Sequence, residues 1–301
     1  MDERRQDDEA GGSAAPVGVF DSGVGGLTIL RDLLRELPGE RFVYFGDTGN
    51  CPYGVREEEE IQRLALAGAR LLLDRGAKII VVACNTASVS ALAELRAAYT
   101  APFVGVVPAV KPAAKRTRAG KVGIASTEAS ARGTYLKRLI ADHANGVRVF
   151  AQGCPDLVTL AEAGTLDGPE AEAAVRAYVQ PMLDAGIDEL VLGCTHFPAM
   201  RAVFERVVGP GVEVIDSGAA VARQARHVLA ERGLLAALDG EPARDARAPD
   251  ARDEFWCSGD PIRFSRVASA IVGHSIVGRL APGMRVERHA GRADEPARVA
   301  G

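Results

Sequence analysis

VVACNTAS, at Val81–Ser88, and LVLGCTHFP, at Leu190–Pro198, are the two stretches of this sequence that decide its fold. In each stretch an apolar run is followed by one cysteine, Cys84 or Cys194, and then by polar residues. The apolar runs predict buried strands, and the polar residues predict the start of the following helix. In an open α/β sheet, ligands bind where the strands end. Two thiols at two such edges therefore predict a site that acts on one substrate from both sides.

Strand and helix patterns alternate along the rest of the chain. Further strands are predicted at VGVFD (17–21), RFVYFGD (41–47), FVGVV (103–107), KVGIAST (121–127), VRVFAQ (147–152) and VEVIDSG (212–218). The second half resembles the first, because Asp21 precedes Cys84 by 63 residues and Thr127 precedes Cys194 by 67. Repeated βα units with short connections form parallel sheets. We predict an α/β fold of two doubly wound parallel-sheet domains related by pseudo-two-fold symmetry.

The composition is that of an ordinary globular protein. The 301 residues suffice for two domains, and 36 basic against 40 acidic residues give a net charge of −4. We expect no nucleic-acid partner, since such proteins usually carry a basic face. No apolar stretch approaches the ~20 residues that cross a bilayer, and the polar N-terminus lacks a signal peptide's apolar core. Five cysteines without framework spacing indicate a reducing compartment. These features predict a cytoplasmic protein without membrane association.

Several segments interrupt the regular pattern. Residues 1–15 are charged and Gly-rich and are predicted to be disordered. Residues 233–254 read as a surface linker, and residues 282–301 as a loose, Arg-rich tail. A helical pattern over residues 169–185 contains Pro181, which we expect to bend or split the helix.

Cys84 and Cys194 are predicted to be reactive thiols. Each would lie at a helix N-terminus, where the dipole and free N–H groups stabilise a thiolate and lower its pKa. Asn85-Thr86 and Thr195-His196 supply further polar groups directly after each cysteine. The main alternative is that both are small buried hydrophobic residues, as free cysteines often are.

Asp21 and His196 are the candidates to move protons at the two thiols. Asp21 opens the turn DSGVGG (21–26), which lacks both the Lys-Ser/Thr of a phosphate loop and GxGxxG spacing. The backbone donors of this turn suit a carboxylate. An aspartate before a helix is also commonly an N-cap, so that alternative stays open.

Two other uses of cysteine and histidine remain as alternatives. Zinc ligation is disfavoured, because Cys194 and His196 are separated by one residue and no CxxC or HxxxH pair accompanies them. We therefore predict no metal ligands. A Cys–His hydrolase is a further option, but it leaves the second cysteine without a role.

Five motifs together resemble those of glutamate racemases, over about residues 16–280. They are VFDSGVGGLTIL (19–30), YFGDT with CPYG (44–54), VVACNTAS, LVLGCTHFP and FWCSGDP (255–261). Aspartate racemases of the same superfamily usually carry an acidic residue where this chain has His196, and they usually lack the DSGVGG opening. Both differences favour glutamate.

The resemblance implies a two-base interconversion of L- and D-glutamate that needs no cofactor. Cys84 would take the α-proton from D-glutamate and Cys194 from L-glutamate, assisted by Asp21 and His196. The positions that match the family's substrate contacts are Asp21, Ser22, Tyr53, Gly54, Asn85, Thr86, Thr127, Thr195 and His196. The resemblance also implies a homodimer in the bacterial cytoplasm that supplies D-glutamate for peptidoglycan.

The resemblance further implies an active site in the cleft between two domains, with the second domain inserted into the first. The first domain would comprise residues 16–107 and 222–281, and the second residues 108–221. One departure is Cys51, which stands where the family more often has an aliphatic residue. Two other functions stay open: a racemase for another acidic amino acid, and a non-catalytic binder of anionic amino acids.

Overall fold

The computed structural model describes residues 12–237, 248–284 and Val286, and its strands form two parallel sheets. The first sheet contains β1 (Val17–Asp21), β2 (Phe42–Gly46), β3 (Ile79–Val82), β4 (Phe103–Gly105), β9 (Glu254–Cys257) and β10 (Gly278–Leu280). The second contains β5 (Lys121–Ser126), β6 (Arg148–Gly153), β7 (Glu189–Leu192) and β8 (Glu213–Ile215). The predicted α/β class with two parallel-sheet domains is confirmed.

Helices cover both faces of each sheet, which buries the continuous apolar runs of the strands. Those on the first sheet are α1 (Leu27–Glu36), α2 (Glu58–Leu73), α3 (Asn85–Ala98), α10 (Gly218–Glu231) and α11 (Pro261–Val272). Those of the second sheet are α4 (Val110–Arg116), α5 (Glu128–Arg132), α6 (Thr134–His143), α7 (Pro155–Ala163), α8 (Pro169–Asp184) and α9 (Arg201–Val208). None of the described helices combines the length and apolar character that crossing a bilayer requires.

Four strands of the first sheet, β2-β1-β3-β4, follow the same order as the four strands of the second sheet, β6-β5-β7-β8. This order places the two cysteine motifs at matching edges. The first sheet runs β10-β9-β2-β1-β3-β4 and the second β6-β5-β7-β8. Cys84 follows β3 and Cys194 follows β7, each beside the strand that begins its half of the chain. This shared order is what a sequence repeat requires, while the pseudo-two-fold relation of the domains stays a prediction.

Several elements differ from the sequence prediction. Helix α8 is continuous through Pro181, because this proline lies in the last turn, where its missing N–H removes a single helical hydrogen bond. The sequence analysis missed α7, and it missed β10, a three-residue edge strand with exposed side chains. The single helix expected after β5 is two helices, separated at Gly133.

The domain boundaries stay predictions. A boundary at residue 108 falls between β4 and α4, whereas one at residue 222 falls inside α10. Helix α10 packs its first-turn residue Val221 into the core beneath the first sheet. The predicted disordered extension, linker and tail lie partly outside the described residues, which omit 1–11, 238–247, 285 and 287–301.

Candidate active site

The DSGVGG turn connects β1 to α1 and contacts the second domain. Asp21 is fully buried, and its Oδ1 accepts a hydrogen bond of 2.8 Å from the Gly23 N–H. Helix α1 begins at Leu27 with Gly26 as its N-cap, so the reading of Asp21 as a helix cap is wrong. A Cβ at Gly25 would lie 2.8 Å from the backbone nitrogen of His196. The glycine therefore permits a close approach of the two domains that a side chain would prevent.

Cys84 lies at the N-cap of α3 and is buried. Its Sγ accepts from the Ala87 N–H at 3.5 Å, and the thiol donates to Ser22 Oγ at 3.4 Å. Burial raises the pKa of Cys84 to about 12, and the charge of Asp21 adds to the effect. The expectation that the helix N-terminus lowers this pKa is wrong, because the cost of desolvating a thiolate exceeds the dipole's stabilisation.

Cys194 follows β7 and contacts the imidazole of His196. The distance from Cys194 Sγ to His196 Nδ1 is 3.5 Å, and the other ring nitrogen, Nε2, lies 2.6 Å from Glu162 Oε1. Burial alone would lower the pKa of His196, but hydrogen bonds with two thiols and this carboxylate raise it well above 6.5. His196 therefore links Cys194 to Glu162 through its two ring nitrogens.

Glu162 is a site residue that the sequence analysis missed. Burial opposes its ionisation, but the hydrogen bond and charge of His196 lower the pKa of Glu162 below its ordinary value. The same carboxylate accepts a 2.8 Å hydrogen bond from the Val24 N–H, so it also ties the two domains together. Glu162 lies on α7, the helix that was not predicted, and no local motif marks it.

One small cavity brings the predicted side chains together. It is lined by Ser22, Pro52, Tyr53, Gly54, Cys84, Asn85, Thr86, Thr127, Val158, Cys194, Thr195 and His196. Both thiols and every predicted substrate contact except Asp21 are on this wall. Asp21 lies directly behind it, and its Oδ2 accepts a 3.3 Å hydrogen bond from Thr195 Oγ1.

Tyr53, Gly54 and Thr127 contribute to the wall of this cavity. The Tyr53 hydroxyl donates to Asp47 Oδ2 at 2.6 Å, so this hydroxyl is already engaged. Asp47, a second buried carboxylate that the sequence analysis missed, also accepts from Ser258 Oγ at 2.5 Å. A Cβ at Gly54 would lie 3.3 Å from that of Thr127, so this contact also joins the two domains.

Comparison with known proteins identifies the family. Residues 26–225 match the family model described as Asp/Glu/Hydantoin racemase. The chain belongs to this racemase family. A protein named glutamate racemase from Roseiflexus sp. (strain RS-1) is 46% identical over 256 residues, covering 85% of this chain and 91% of the relative. The resemblance inferred from the five motifs is thereby confirmed.

Solved structures of racemases match the fold across most of the chain. Escherichia coli glutamate racemase, in complex with L-glutamate and the activator UDP-MurNAc-ala, is 33% identical with a TM-score of 0.75, and the match covers 88% of this chain and 97% of that one. Francisella tularensis glutamate racemase, in complex with D-glutamate, is 28% identical with a TM-score of 0.74, covering 89% and 97%. The fold of this chain is therefore that of the glutamate racemases.

Proposed function

We propose that this protein is a glutamate racemase that inverts the α-carbon of glutamate with two cysteines and no cofactor. One observation carries the proposal: two buried thiols, at the ends of matching strands in two sheets, face the same small cavity. Inversion is simplest with one acid–base group on each face of the substrate. A site that only binds glutamate needs hydrogen-bond donors and has no use for two thiols.

The two thiols are assigned opposite tasks. Cys84, whose pKa is raised to about 12 by burial, is a thiol at neutral pH and can donate a proton. Cys194, whose Sγ lies 3.5 Å from His196 Nδ1, removes the α-proton of L-glutamate. In the reverse direction, Cys84 takes the α-proton of D-glutamate. Asp21 and His196 return each cysteine to its starting state.

The polar wall of the cavity is suited to hold the substrate and its developing charge. Asn85-Thr86 at the start of α3, and Thr195 after β7, present donors on both sides. Because the Tyr53 hydroxyl donates its proton to Asp47, it can serve the substrate only as a hydrogen-bond acceptor. The α-proton is weakly acidic, so fixed donors in a site closed to water must stabilise the carbanion.

The cellular role follows from the chemistry and the family. We infer that the protein works in the bacterial cytoplasm, supplies D-glutamate for peptidoglycan and forms a homodimer. The support is the resemblance of its five motifs to those of glutamate racemases, together with its relatives of that name.

Circular dichroism with purified protein tests the activity. L-glutamate and D-glutamate should each lose optical rotation to a racemic end point, while L-aspartate should not. Cys84→Ala and Cys194→Ala should each abolish the reaction, and chelators and pyridoxal scavengers should leave it unchanged. Full activity in either variant would refute the two-cysteine proposal, and turnover of aspartate alone would show a different acidic amino acid as substrate.

A further inference from the structure

A second cluster of reactive side chains lies behind His196. Among the residues that the structure describes, Cys51, Glu162 and His196 are the one set of three potential metal ligands, and their donor atoms all lie within 4.8 Å of one another. The imidazole nitrogen in this cluster is Nε2, the one that faces Glu162 and points away from Cys194. The racemisation proposed above gives Cys51 no role.

Two members of the cluster line a cleft other than the substrate cavity. Cys51 and Glu162 are both half-buried, and both contribute to this cleft, whereas His196 lines the substrate cavity. Val24, Asp260 and Arg263 contribute to the same cleft. An ion in this cleft meets the Cys51 thiol and the Glu162 carboxylate without passing the two catalytic thiols, and His196 Nε2 lies 2.6 Å from Glu162 Oε1.

We propose that Cys51, Glu162 and His196 bind a zinc-type divalent cation, and that the bound ion inhibits the enzyme. One thiolate, one imidazole and one carboxylate are ligands that Zn²⁺ takes together, with a fourth position left to water. Tetrahedral zinc holds such donors roughly 3.3–3.6 Å apart. His196 Nε2 and Glu162 Oε1 now lie 2.6 Å apart, and no pair exceeds 4.8 Å, so side-chain shifts of about 1 Å suffice.

Inhibition follows from where the three ligands come from. Cys51 precedes α2 in the first domain, whereas Glu162 and His196 belong to the second. A bound ion would therefore link the two domains and hold them at one separation. Binding also releases the Cys51 thiol proton and the His196 Nε2 proton to solvent, while His196 Nδ1 keeps facing Cys194. This inhibitory half rests on the proposed racemase function, whereas the binding half does not.

Calorimetric titration of the full-length protein with Zn²⁺, without substrate, tests the site itself. The unaltered protein should bind one ion per chain. Cys51→Ala and Glu162→Gln should each weaken binding at least tenfold, whereas Cys257→Ala, which removes a buried thiol elsewhere, should not. Equal affinity in Cys51→Ala and the unaltered protein would overturn the site. Binding lost in Cys194→Ala but kept in Cys51→Ala would overturn it as well, by placing the ion on the substrate side.

Racemisation assays in the presence of Zn²⁺ test the inhibitory half. Cys51→Ala should remain active and require at least tenfold more Zn²⁺ for half-inhibition than the unaltered protein or Cys257→Ala. Full racemase activity at a Zn²⁺ concentration that saturates the site measured by calorimetry would overturn the proposed inhibition. A protein without racemase activity would refute the proposed function, and the calorimetry would still decide whether the metal site exists.

Discussion

Replacing Asp21 by asparagine should make the protein more stable at neutral pH and less active. Burial raises the pKa of Asp21 to about 6 from an ordinary 3.8, against the opposing charge of His196 and backbone hydrogen bonds from Gly23 and Gly26. Asparagine has nearly the same shape and does not ionise. Its Oδ1 can still accept from the Gly23 N–H, and its Nδ2 can donate to Thr195 Oγ1.

The magnitude follows from the linkage between protonation and folding. Because the pKa is raised in the folded state, protonated Asp21 contributes stability that is fully present below pH 3.8 and is lost as the pH rises through 6. The difference between these two pKa values corresponds to about 3 kcal/mol. Relative to the unaltered protein, Asp21→Asn should therefore gain about 2.4 kcal/mol between pH 4 and pH 7.5, because the first part of the difference is already lost at pH 4.

Urea unfolding at a series of pH values measures this difference. Asp142→Asn, at an exposed position of α6, provides the matched control, and its stability should follow that of the unaltered protein at every pH. Racemisation by Asp21→Asn should fall by about 10² or more, since it lacks the carboxyl group proposed to exchange a proton with Cys84. Parallel stability profiles for Asp21→Asn and the unaltered protein would refute the reasoning.

Two further variants test the contacts around the second thiol. Glu162→Gln should lower the pKa of His196, because a carboxylate that favours the charged ring is lost. NMR titration of the His196 ring measures this pKa. An unchanged titration midpoint would contradict the role given to Glu162. Gly25→Ala should reduce kcat at least tenfold, because its Cβ would lie 2.8 Å from Thr195 Oγ1 and His196. Gly211→Ala is the control and should keep full activity, because a Cβ at this position meets nothing within 4 Å. Similar kinetics for Gly25→Ala and Gly211→Ala would argue against close domain contact at Gly25.

The sequence predicts the parts of the site that are local. Cys84 and Cys194 each follow an apolar run, so each motif is predicted to lie at the carboxyl edge of its own sheet. The packing of the two domains then brings both edges to one cavity. The pKa of Cys84 could not be predicted in the same way. It depends on burial by residues distant in sequence, and this burial outweighs the local effect of the helix N-terminus.

Contacts between distant segments account for what the sequence analysis missed. Glu162 meets His196, 34 residues later, only because α7 packs beside the loop after β7. Cys51 joins them only because the two domains touch. Neither contact produces a pattern of spacing or periodicity in the sequence. His196 could therefore be recognised from its motif, whereas its partner Glu162 could not.

Racemisation of L-glutamate in deuterated water, stopped at low conversion, tests the two-thiol mechanism most directly. If Cys194 removes the α-proton and Cys84 donates from the opposite face, the D-glutamate formed should carry deuterium at the α-carbon while the recovered L-glutamate keeps protium. Separation of the enantiomers and mass spectrometry of each provide the measurement. Protium retained in the product, or equal deuterium in both enantiomers, would show that one group serves both faces and would contradict the account.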